Sequence, residues 1–357
     1  VLGLSLPMAG LLVAAYQVTS SIIQPVLGHM ADRNGTRIFS ILGTAAAAIG
    51  ASSLGIAPGY TALLALVFLH GLGTAAFHPQ SAAMVNSLFT SRRGMVMSAY
   101  LTAGNAGFAL GPSIIVRLVT TVGLHATPLL AIPGLISSGM LALYAPRNWL
   151  NLSETERPPL WGVIASKRSD LTRLLGVATF RSVTMFSFMA FLPLLFQGRG
   201  YPASIWAGLL TFFLLSGTVG GLLGGYLSDR IGRRLVIVWS LIIAVPLLLL
   251  MIRAEGISQW VVTGMAGAAI LTSFSVLTVK AQEMLPGNIG MASGLILGFG
   301  IGVGGLGAWP AGILAERLGI FETLNLLAFL PVLAALVAWS LPTDVRGGSQ
   351  RARVQRS

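Results

Sequence analysis

Continuous apolar runs fill most of this sequence, and they restrict its possible folds more than any other feature does. Eleven of the runs reach about 20 residues, the length that an α-helix needs to cross a bilayer. They lack the apolar–polar alternation of a membrane β-barrel. Only 9% of the residues are charged, against about 25% in soluble domains. We therefore predict an all-α membrane protein. The predicted spans lie near residues 5–28, 38–57, 60–85, 95–118, 127–145, 171–195, 203–227, 235–252, 258–280, 289–314 and 323–341.

Two short basic loops between predicted spans are copies of one pattern. Each contains a glycine, an Asp-Arg pair and a final arginine at the same spacing, and the copies lie 197 residues apart. A repeat at a fixed offset in a membrane protein indicates an internal duplication. The first copy contains Gly28, Asp32, Arg33 and Arg37, and the second contains Gly225, Asp229, Arg230, Arg233 and Arg234.

The duplication predicts how the chain is divided. Two spans precede the second loop within its half, whereas only one precedes the first loop. We therefore expect two pseudo-symmetric six-helix bundles of which eleven transmembrane helices are visible, helix 1 of the twelve being absent. A protein with eleven native spans is the alternative. The expected parts are an N-terminal bundle at 1–145 (helices 2–6), a cytoplasmic linker at 146–170, a C-terminal bundle at 171–341 (helices 7–12) and a basic cytoplasmic tail at 342–357.

The arginines and lysines predict the orientation. Seventeen of them fall on the side of the repeated loops, while four fall on the opposite side, at Arg117, Arg199, Arg253 and Arg317. Because basic loops stay in the cytoplasm, the repeated loops are expected to be cytoplasmic. The net charge of +12 is scattered over short loops rather than gathered into a patch, so it does not indicate nucleic-acid binding. Without cysteines the chain has no disulfides or thiolate metal sites.

Three motifs carry a resemblance to a known family. The pattern Gly-x-x-x-Asp-Arg-x-Gly-x-Arg resembles the loop between helices 2 and 3 of major facilitator transporters, which recurs between helices 8 and 9. The runs from Phe77 to Ser81 and from Ala281 to Gly294 resemble two stretches of the fosmidomycin resistance proteins within that superfamily. The resemblance implies a major facilitator fold with a central cavity. At Gln80 this sequence departs from the family's glutamate, which removes a protonatable group.

The two repeated loops have two possible roles. Their aspartates can accept hydrogen bonds from nearby arginines or from the N-terminus of a helix. The resemblance favours a conformational latch that breaks and reforms as the halves move. A capped turn whose charges set the topology is the alternative.

At the cytoplasmic end of the tenth helix, Lys280 and Glu283 are i, i+3 neighbours. They form either a gate contact or a self-neutralising pair.

Glycines mark two predicted packing faces. Gly104, Gly107 and Gly111 share one helical face before Pro112, and that motif resembles helix 5 of drug/proton antiporters. A face without side chains allows another helix to approach closely. A second seam recurs every four residues in the eleventh helix, at Gly294, Gly298 and Gly302. Both seams suit movement of one half against the other.

Polar residues inside the spans are the candidates for the transport site, because burying them in a membrane is costly. Arg181 lies near the predicted midplane, and it either binds an anionic substrate or has a structural role. His78 is the candidate proton carrier, since histidine titrates near neutral pH. A hydrogen-bonded packing residue is its alternative. Other residues assigned to the cavity are His70, Gln17, Gln24 and Asn105.

The sequence thus predicts a secondary active transporter in the bacterial inner membrane. We expect proton-coupled efflux of a small, anionic, fosmidomycin-like compound by alternating access, with protons, substrate and the lipid bilayer as partners and a monomeric chain. A nutrient or metabolite symporter or uniporter of the same fold is the main alternative, and a channel or membrane-embedded enzyme is a remote one. No phosphate-binding Gly-x-x-x-x-Gly-Lys motif or catalytic constellation is present in the sequence, so no cofactor is expected.

Overall fold

A computed structural model describes residues 3–24, 27, 37–88, 93–147, 160–284 and 295–343, and every regular element in these ranges is helical. The N-terminal half also contains two short 3₁₀ turns. Ser53–Ile56 follows the helix that ends at Ser52, and Leu124–Leu130 precedes the helix that begins at Ala131. The helices are α1 (Leu6–Ile22), α2 (Ile38–Ser52), α3 (Tyr60–Leu88), α4 (Arg93–Thr121) and α5 (Ala131–Tyr144).

The C-terminal half contains the longer helices. A π-helical segment at Leu295–Gly300 leads into a helix that breaks at Gly307, and the last two helices follow from Gly319. The helices are α6 (Leu160–Gly198), α7 (Ala203–Ile231), α8 (Arg233–Met251), α9 (Gly256–Met284), α10 (Ile301–Leu306), α11 (Ala308–Leu318), α12 (Ile320–Leu327) and α13 (Leu330–Trp339).

Local sequence explains several of these boundaries. Ser5 caps α1 by accepting a hydrogen bond from the Met8 N–H, and Pro7 occupies the first turn, where a missing N–H costs nothing. Gly232 separates α7 from α8 with a φ of 100°, a conformation that favours glycine. This turn is the centre of the second repeated loop. The glycine therefore sets the reversal between two membrane helices.

Within the described residues the helices follow the predicted spans, but the last two spans are each divided into shorter helical segments and α6 is longer than predicted. Eight helical segments in the described ranges are long and apolar enough to cross a membrane. Helix α6 begins at Leu160, so its first turns lie inside the segment 146–170 that was predicted to be a linker. The charged residues of those turns do not prevent a helix, because a helix that projects from the bilayer into water can carry them.

The outer surface is apolar, as expected of a protein surrounded by lipid. Leu222 on α7 is 61% exposed, and Leu336 on α13 is 65% exposed. Large contiguous apolar exposure is rare on soluble monomers. The surface therefore supports the membrane assignment independently of the length of the helices.

Equivalent contacts recur in the two halves. In the N-terminal bundle α1 packs on α3, and in the C-terminal bundle α7 packs on α9. Tyr16 of α1 stacks on His70 of α3. The residues 197 positions further on, Phe213 and Gly267, are also in contact, because a Cβ on Gly267 would collide with the Phe213 backbone. The shared geometry supports the duplication that the repeated loops indicated.

Among the described residues, the bundles meet mainly along two seams. Helix α1 packs against α10 and α11 and touches α6, and α4 packs against α7. A cavity between the bundles would lie between these two seams, so the residues on the seams decide how the halves can move.

Candidate functional site

The seam between α1 and the α10–α11 segment is built from glycines. A Cβ on Gly302 would lie 2.8 Å from the Ser21 Cβ, and Gly298 faces the Ser21 carbonyl. Gly305 leaves no room beside the Gln17 side chain. The two helices can approach this closely only because these positions lack a side chain. Gly298 and Gly302 thus pack as the glycine pattern indicated, while Gly294 lies outside the described residues.

The second seam joins α4 to α7 by a hydrogen bond and apolar packing. The Ser113 and Thr211 hydroxyls are 2.8 Å apart, and Ala109 is 1% exposed within the core of the C-terminal bundle. No sequence signal paired Ser113 with Thr211, because the two residues are far apart in the chain. This cross-bundle hydrogen bond was missed in the sequence analysis.

The predicted packing role of the α4 glycines is wrong for this conformation. A Cβ on Gly104, Gly107 or Gly111 would meet no atom within 4 Å. At 100° per residue, these glycines lie on the face of α4 opposite Ala109 and Ser113. Helix α4 contains Pro112 as predicted, but it contacts α7 through the alanine and hydroxyl face.

Two neighbouring residues of α1, Tyr16 and Gln17, pack between helices instead of facing a cavity. Tyr16 stacks on the His70 ring at 4.6 Å, and the His70 Nδ1 lies 3.0 Å from the Ala47 carbonyl oxygen of α2. Gln17 is 5% exposed and packs on Gly305. The cavity assignment of Gln17 and His70 is therefore wrong in this conformation. Both residues stabilise helix contacts.

Three of the predicted cavity residues remain accessible. His78 on α3 and Asn105 on α4 are exposed, and Gln24 is half-buried near the end of the first span. The His78 ring meets the neighbouring Phe77 ring edge-on at 5.5 Å. One turn further along α3, Ser81 forms a hydrogen bond of 2.6 Å with the Tyr100 hydroxyl of α4. An exposed imidazole close to the α3–α4 junction is available to a substrate or to water.

Gln80 has a structural role that the sequence did not indicate. It is fully buried, and its side-chain oxygen accepts a hydrogen bond from the Ser40 backbone N–H in the first turn of α2. The first N–H groups of a helix have no partner within the helix, so Gln80 fixes the start of α2 against α3. A neutral amide performs this role without a buried charge.

Arg181 is enclosed within the C-terminal bundle. It is 2% exposed, and its Nε donates to the Ile270 carbonyl of α9 at 3.2 Å. The guanidinium carbon lies 4.8 Å from the centre of the Phe274 ring, and one terminal nitrogen is 3.1 Å from the Met185 sulfur. None of the ion pairs between described residues includes Arg181. In this conformation its described surroundings support the structural interpretation.

The second repeated loop forms an ion-pair cluster at the end of its own bundle. Arg233 lies 2.5 Å from the Asp229 carboxylate and 3.0 Å from the Glu283 carboxylate. Arg230 lies over the Tyr226 ring at 4.3 Å. A Cβ on Gly225 would meet no atom within 4 Å, so helix packing does not require a glycine there in this conformation. The loop thus ties α7, α8 and α9 together.

The proposed pairing of Lys280 with Glu283 is not found. Glu283 is bound by Arg233, and the Lys280 Nζ donates to the Pro342 carbonyl at 3.0 Å. Both partners belong to the C-terminal half of the chain. Among the contacts of described residues, Glu283 therefore pairs with Arg233 of α8 and not with Lys280, so the self-neutralising pair is not formed in this conformation.

The final arginines of the two loops have equivalent partners. Arg37 donates to the Ala145 carbonyl at the end of α5. Arg234 donates to the Leu341 carbonyl at 3.3 Å, just beyond α13. The last carbonyls of a helix lack partners within the helix, and a cation there also interacts favourably with the helix dipole. Each arginine thus caps the last helix of its own bundle. Gly28, Asp32 and Arg33 lie outside the described residues.

No group of three or more histidine, aspartate or glutamate side chains that could hold a metal ion occurs in the part of the chain that the structure describes. The described polar side chains instead form hydrogen bonds between helices, helix caps and ion pairs, or remain accessible as single residues. Two duplicated helix bundles joined by side-chain-poor seams define a membrane carrier.

The chain belongs to the Major Facilitator Superfamily, whose sequence pattern matches residues 1–297. It is a multi-pass membrane transporter and not an enzyme. It is 29% identical to the "Uncharacterized MFS-type transporter YfnC" of Bacillus subtilis (strain 168), covering 96% of this chain and 86% of that protein. It is also 29% identical to the "Fosmidomycin resistance protein" of Escherichia coli (strain K12), covering 92% and 82% respectively.

Solved structures agree with this fold. A bacterial homolog of the human lysosomal transporter Spinster, in an inward-facing and occupied conformation, superimposes with a TM-score of 0.76 at 15% identity. The match covers 94% of this chain and 89% of that one. At this identity the similarity concerns the fold alone, and it supports the helix arrangement described above.

Proposed function

We propose that this transporter exports a small anionic compound from the bacterial cytoplasm through the inner membrane, in exchange for protons and by alternating access. The observation that carries the mechanism is the pair of seams between the bundles. Between the described residues, the α1 seam consists of glycines packed on Ser21 and Gln17, and the α4–α7 seam consists of small side chains and a neutral hydrogen bond between Ser113 and Thr211. Such contacts cost little to separate, so the bundles can move against each other. The similarity to a fosmidomycin resistance protein supports efflux and a phosphonate-like substrate.

Arg181 supplies the preference for anions in this proposal. A guanidinium held by one carbonyl, one thioether and one ring keeps its full charge in a low-dielectric region. In the proposed mechanism, movement of α6 against α9 exposes this guanidinium to an anion between the bundles. The same bonds also fix the side chain, which explains why it is buried without a carboxylate.

His78 is the proposed proton carrier. Its ring is exposed on α3, whereas the His70 ring is stacked and bonded to a carbonyl. An accessible imidazole can exchange protons with water in the cavity.

The loop around Asp229 is proposed as a latch that changes partners in another conformation. We also propose that a single chain is the transporting unit.

The experiment uses fosmidomycin as the probe substrate and the chain in its full natural length. Expression in a sensitive bacterium should raise fosmidomycin tolerance, and a protonophore should abolish the gain. Inside-out vesicles should then take up fosmidomycin only when a proton gradient is imposed. Tolerance equal to that of the empty vector, together with uptake equal to that of empty vesicles, would contradict the proposal.

A symporter or uniporter for a metabolite is the second candidate. One observation favours it: no aspartate or glutamate lies in the interior of a predicted span, and Gln80 replaces the glutamate of the resembling family. Under this alternative, counterflow in proteoliposomes would proceed at the same rate with and without a pH gradient. A rate that rises with the gradient would instead support proton coupling.

A further inference from the structure

An open pocket of about 530 Å³ lies at the end of the C-terminal bundle that we predict to face away from the cytoplasm. Three separate stretches of the chain build it. Arg199 and Tyr201 connect α6 to α7, Arg253 and Glu255 connect α8 to α9, and Phe321 lies in the first turn of α12. None of these residues takes part in the seams or in the loop clusters.

The two arginines of the pocket share one aromatic ring. The Arg199 guanidinium carbon is 5.6 Å from the centre of the Phe321 ring, and that of Arg253 is 5.2 Å from it. Cation–ring contacts at exposed sites contribute about 0.5–1 kcal/mol each, so they hold both cations in place without neutralising them. Arg253 uses one N–H for the Leu249 carbonyl at 2.8 Å. The ion pairs between described residues include neither arginine.

The charges of the pocket match a zwitterion. Two fixed cations lie beside one carboxylate, Glu255, which lines the same pocket without forming an ion pair to either arginine. A phosphate diester can accept hydrogen bonds from both guanidinium groups. A primary ammonium on the same ligand would satisfy Glu255. A phosphate and a primary ammonium on one ligand form a phosphoethanolamine group. A ligand with a phosphate alone would be repelled by the Glu255 carboxylate.

The surroundings place this group at the membrane surface. Leu250, one helical turn before Arg253, is 51% exposed, and Ile257 near the start of α9 is 86% exposed. Apolar exposure of this kind is compatible with acyl chains, and the pocket is lined by Tyr201, a residue type that is enriched at membrane–water interfaces. We propose that the pocket formed by Arg199, Arg253, Glu255 and Phe321 binds the headgroup of phosphatidylethanolamine in the outer leaflet.

The test is native mass spectrometry of the purified, delipidated full chain after addition of phosphatidylethanolamine or phosphatidylglycerol with identical acyl chains. The wild-type protein should retain phosphatidylethanolamine in preference to phosphatidylglycerol. The double variant Arg199→Gln/Arg253→Gln should bind phosphatidylethanolamine about tenfold more weakly, because two charged hydrogen-bond donors are lost. Glu255→Gln should abolish the preference by improving phosphatidylglycerol binding.

Arg117→Gln is the matched control, because Arg117 is exposed on the same predicted side of the membrane but in the N-terminal bundle. It should leave lipid retention unchanged. Equal retention by the double variant and the control would overturn the proposal, as would an unchanged preference in Glu255→Gln. Soluble phosphoethanolamine is added as a competitor. If an equimolar amount of the competitor displaces the lipid, the claim that the ligand is a lipid would be overturned, and the pocket would be assigned to a soluble ligand.

Discussion

Gly302 offers the sharpest test of how the seams control the movement of the bundles. In Gly302→Ala the new methyl group would lie 2.8 Å from the Ser21 Cβ and 3.5 Å from the Gln17 carbonyl oxygen. Overpacking of this kind costs about 1–3 kcal/mol. The cost applies only while α1 and α10 are in contact. It therefore destabilises the present conformation relative to any conformation in which the seam is open.

The expected size follows from that energy. A bias of about 1–3 kcal/mol changes the ratio of two conformations by about 5–150-fold. The assay is the distance distribution between spin labels on Arg117→Cys and Gln197→Cys, which lie in different bundles on the same predicted side. The chain has no cysteine of its own, so only these sites are labelled. Gly302→Ala should move population away from the distance seen in the present conformation.

Two glycines provide matched controls for Gly302→Ala. Gly104→Ala adds the same methyl group where no atom lies within 4 Å, so it should leave the distribution unchanged. Gly304 packs on Ser182 of α6 inside the C-terminal bundle. Gly304→Ala should therefore lower the unfolding temperature without shifting the distances. Identical distributions for Gly302→Ala and Gly104→Ala would refute the role of this seam.

Three other substitutions have defined outcomes. Arg181→Met should abolish fosmidomycin uptake into vesicles while membrane insertion is kept, and unaltered uptake would assign Arg181 a purely structural role. His78→Ala should flatten the pH dependence of uptake, and identical pH profiles for wild type and His78→Ala would reject the proton role. His70→Ala should keep the pH dependence but lose about 1–2 kcal/mol of stability, because the ring stack and the hydrogen bond are lost. Arg37→Gln and Arg234→Gln should each cost about 1 kcal/mol by uncapping α5 and α13, measured as loss of unfolding temperature, and no change would reject the capping role.

The helical framework could be predicted from the sequence because membrane spans depend on simple quantities. Apolar length alone located the spans. The orientation stays a prediction from the positive-inside rule. The boundary at Leu160 differed because a helix can continue beyond the bilayer, where hydropathy no longer identifies it. The fixed offset between the repeated loops correctly indicated equivalent contacts in the two halves.

The contacts between helices could be predicted only in part. Glycine spacing identified side-chain-free faces on α4 and on the α10 segment, but it could not say which face meets a partner. Gly302 packs on α1, while Gly107 faces away from α7. Spacing also suggested that Lys280 would pair with Glu283, yet Arg233 from another helix is the partner of Glu283. Local spacing carries no information about competing groups on neighbouring helices.

The partners of Arg181 were equally inaccessible to sequence reasoning. A backbone carbonyl such as that of Ile270 is present at every residue, so it leaves no signal in the sequence. The pocket around Phe321 has the same origin, since three distant stretches supply its charges. In both cases the tertiary fold decides which groups meet.

The most direct test of the central claim is a reversible link between Ser113→Cys and Thr211→Cys. The native hydroxyls are 2.8 Å apart, so the two thiols lie close enough to form a disulfide after a small adjustment of their side chains. If transport requires the bundles to separate along α4 and α7, oxidation should stop fosmidomycin uptake into vesicles. Reduction should restore the uptake, and neither single variant should respond to the oxidant. Undiminished uptake by the fully cross-linked protein would contradict the account.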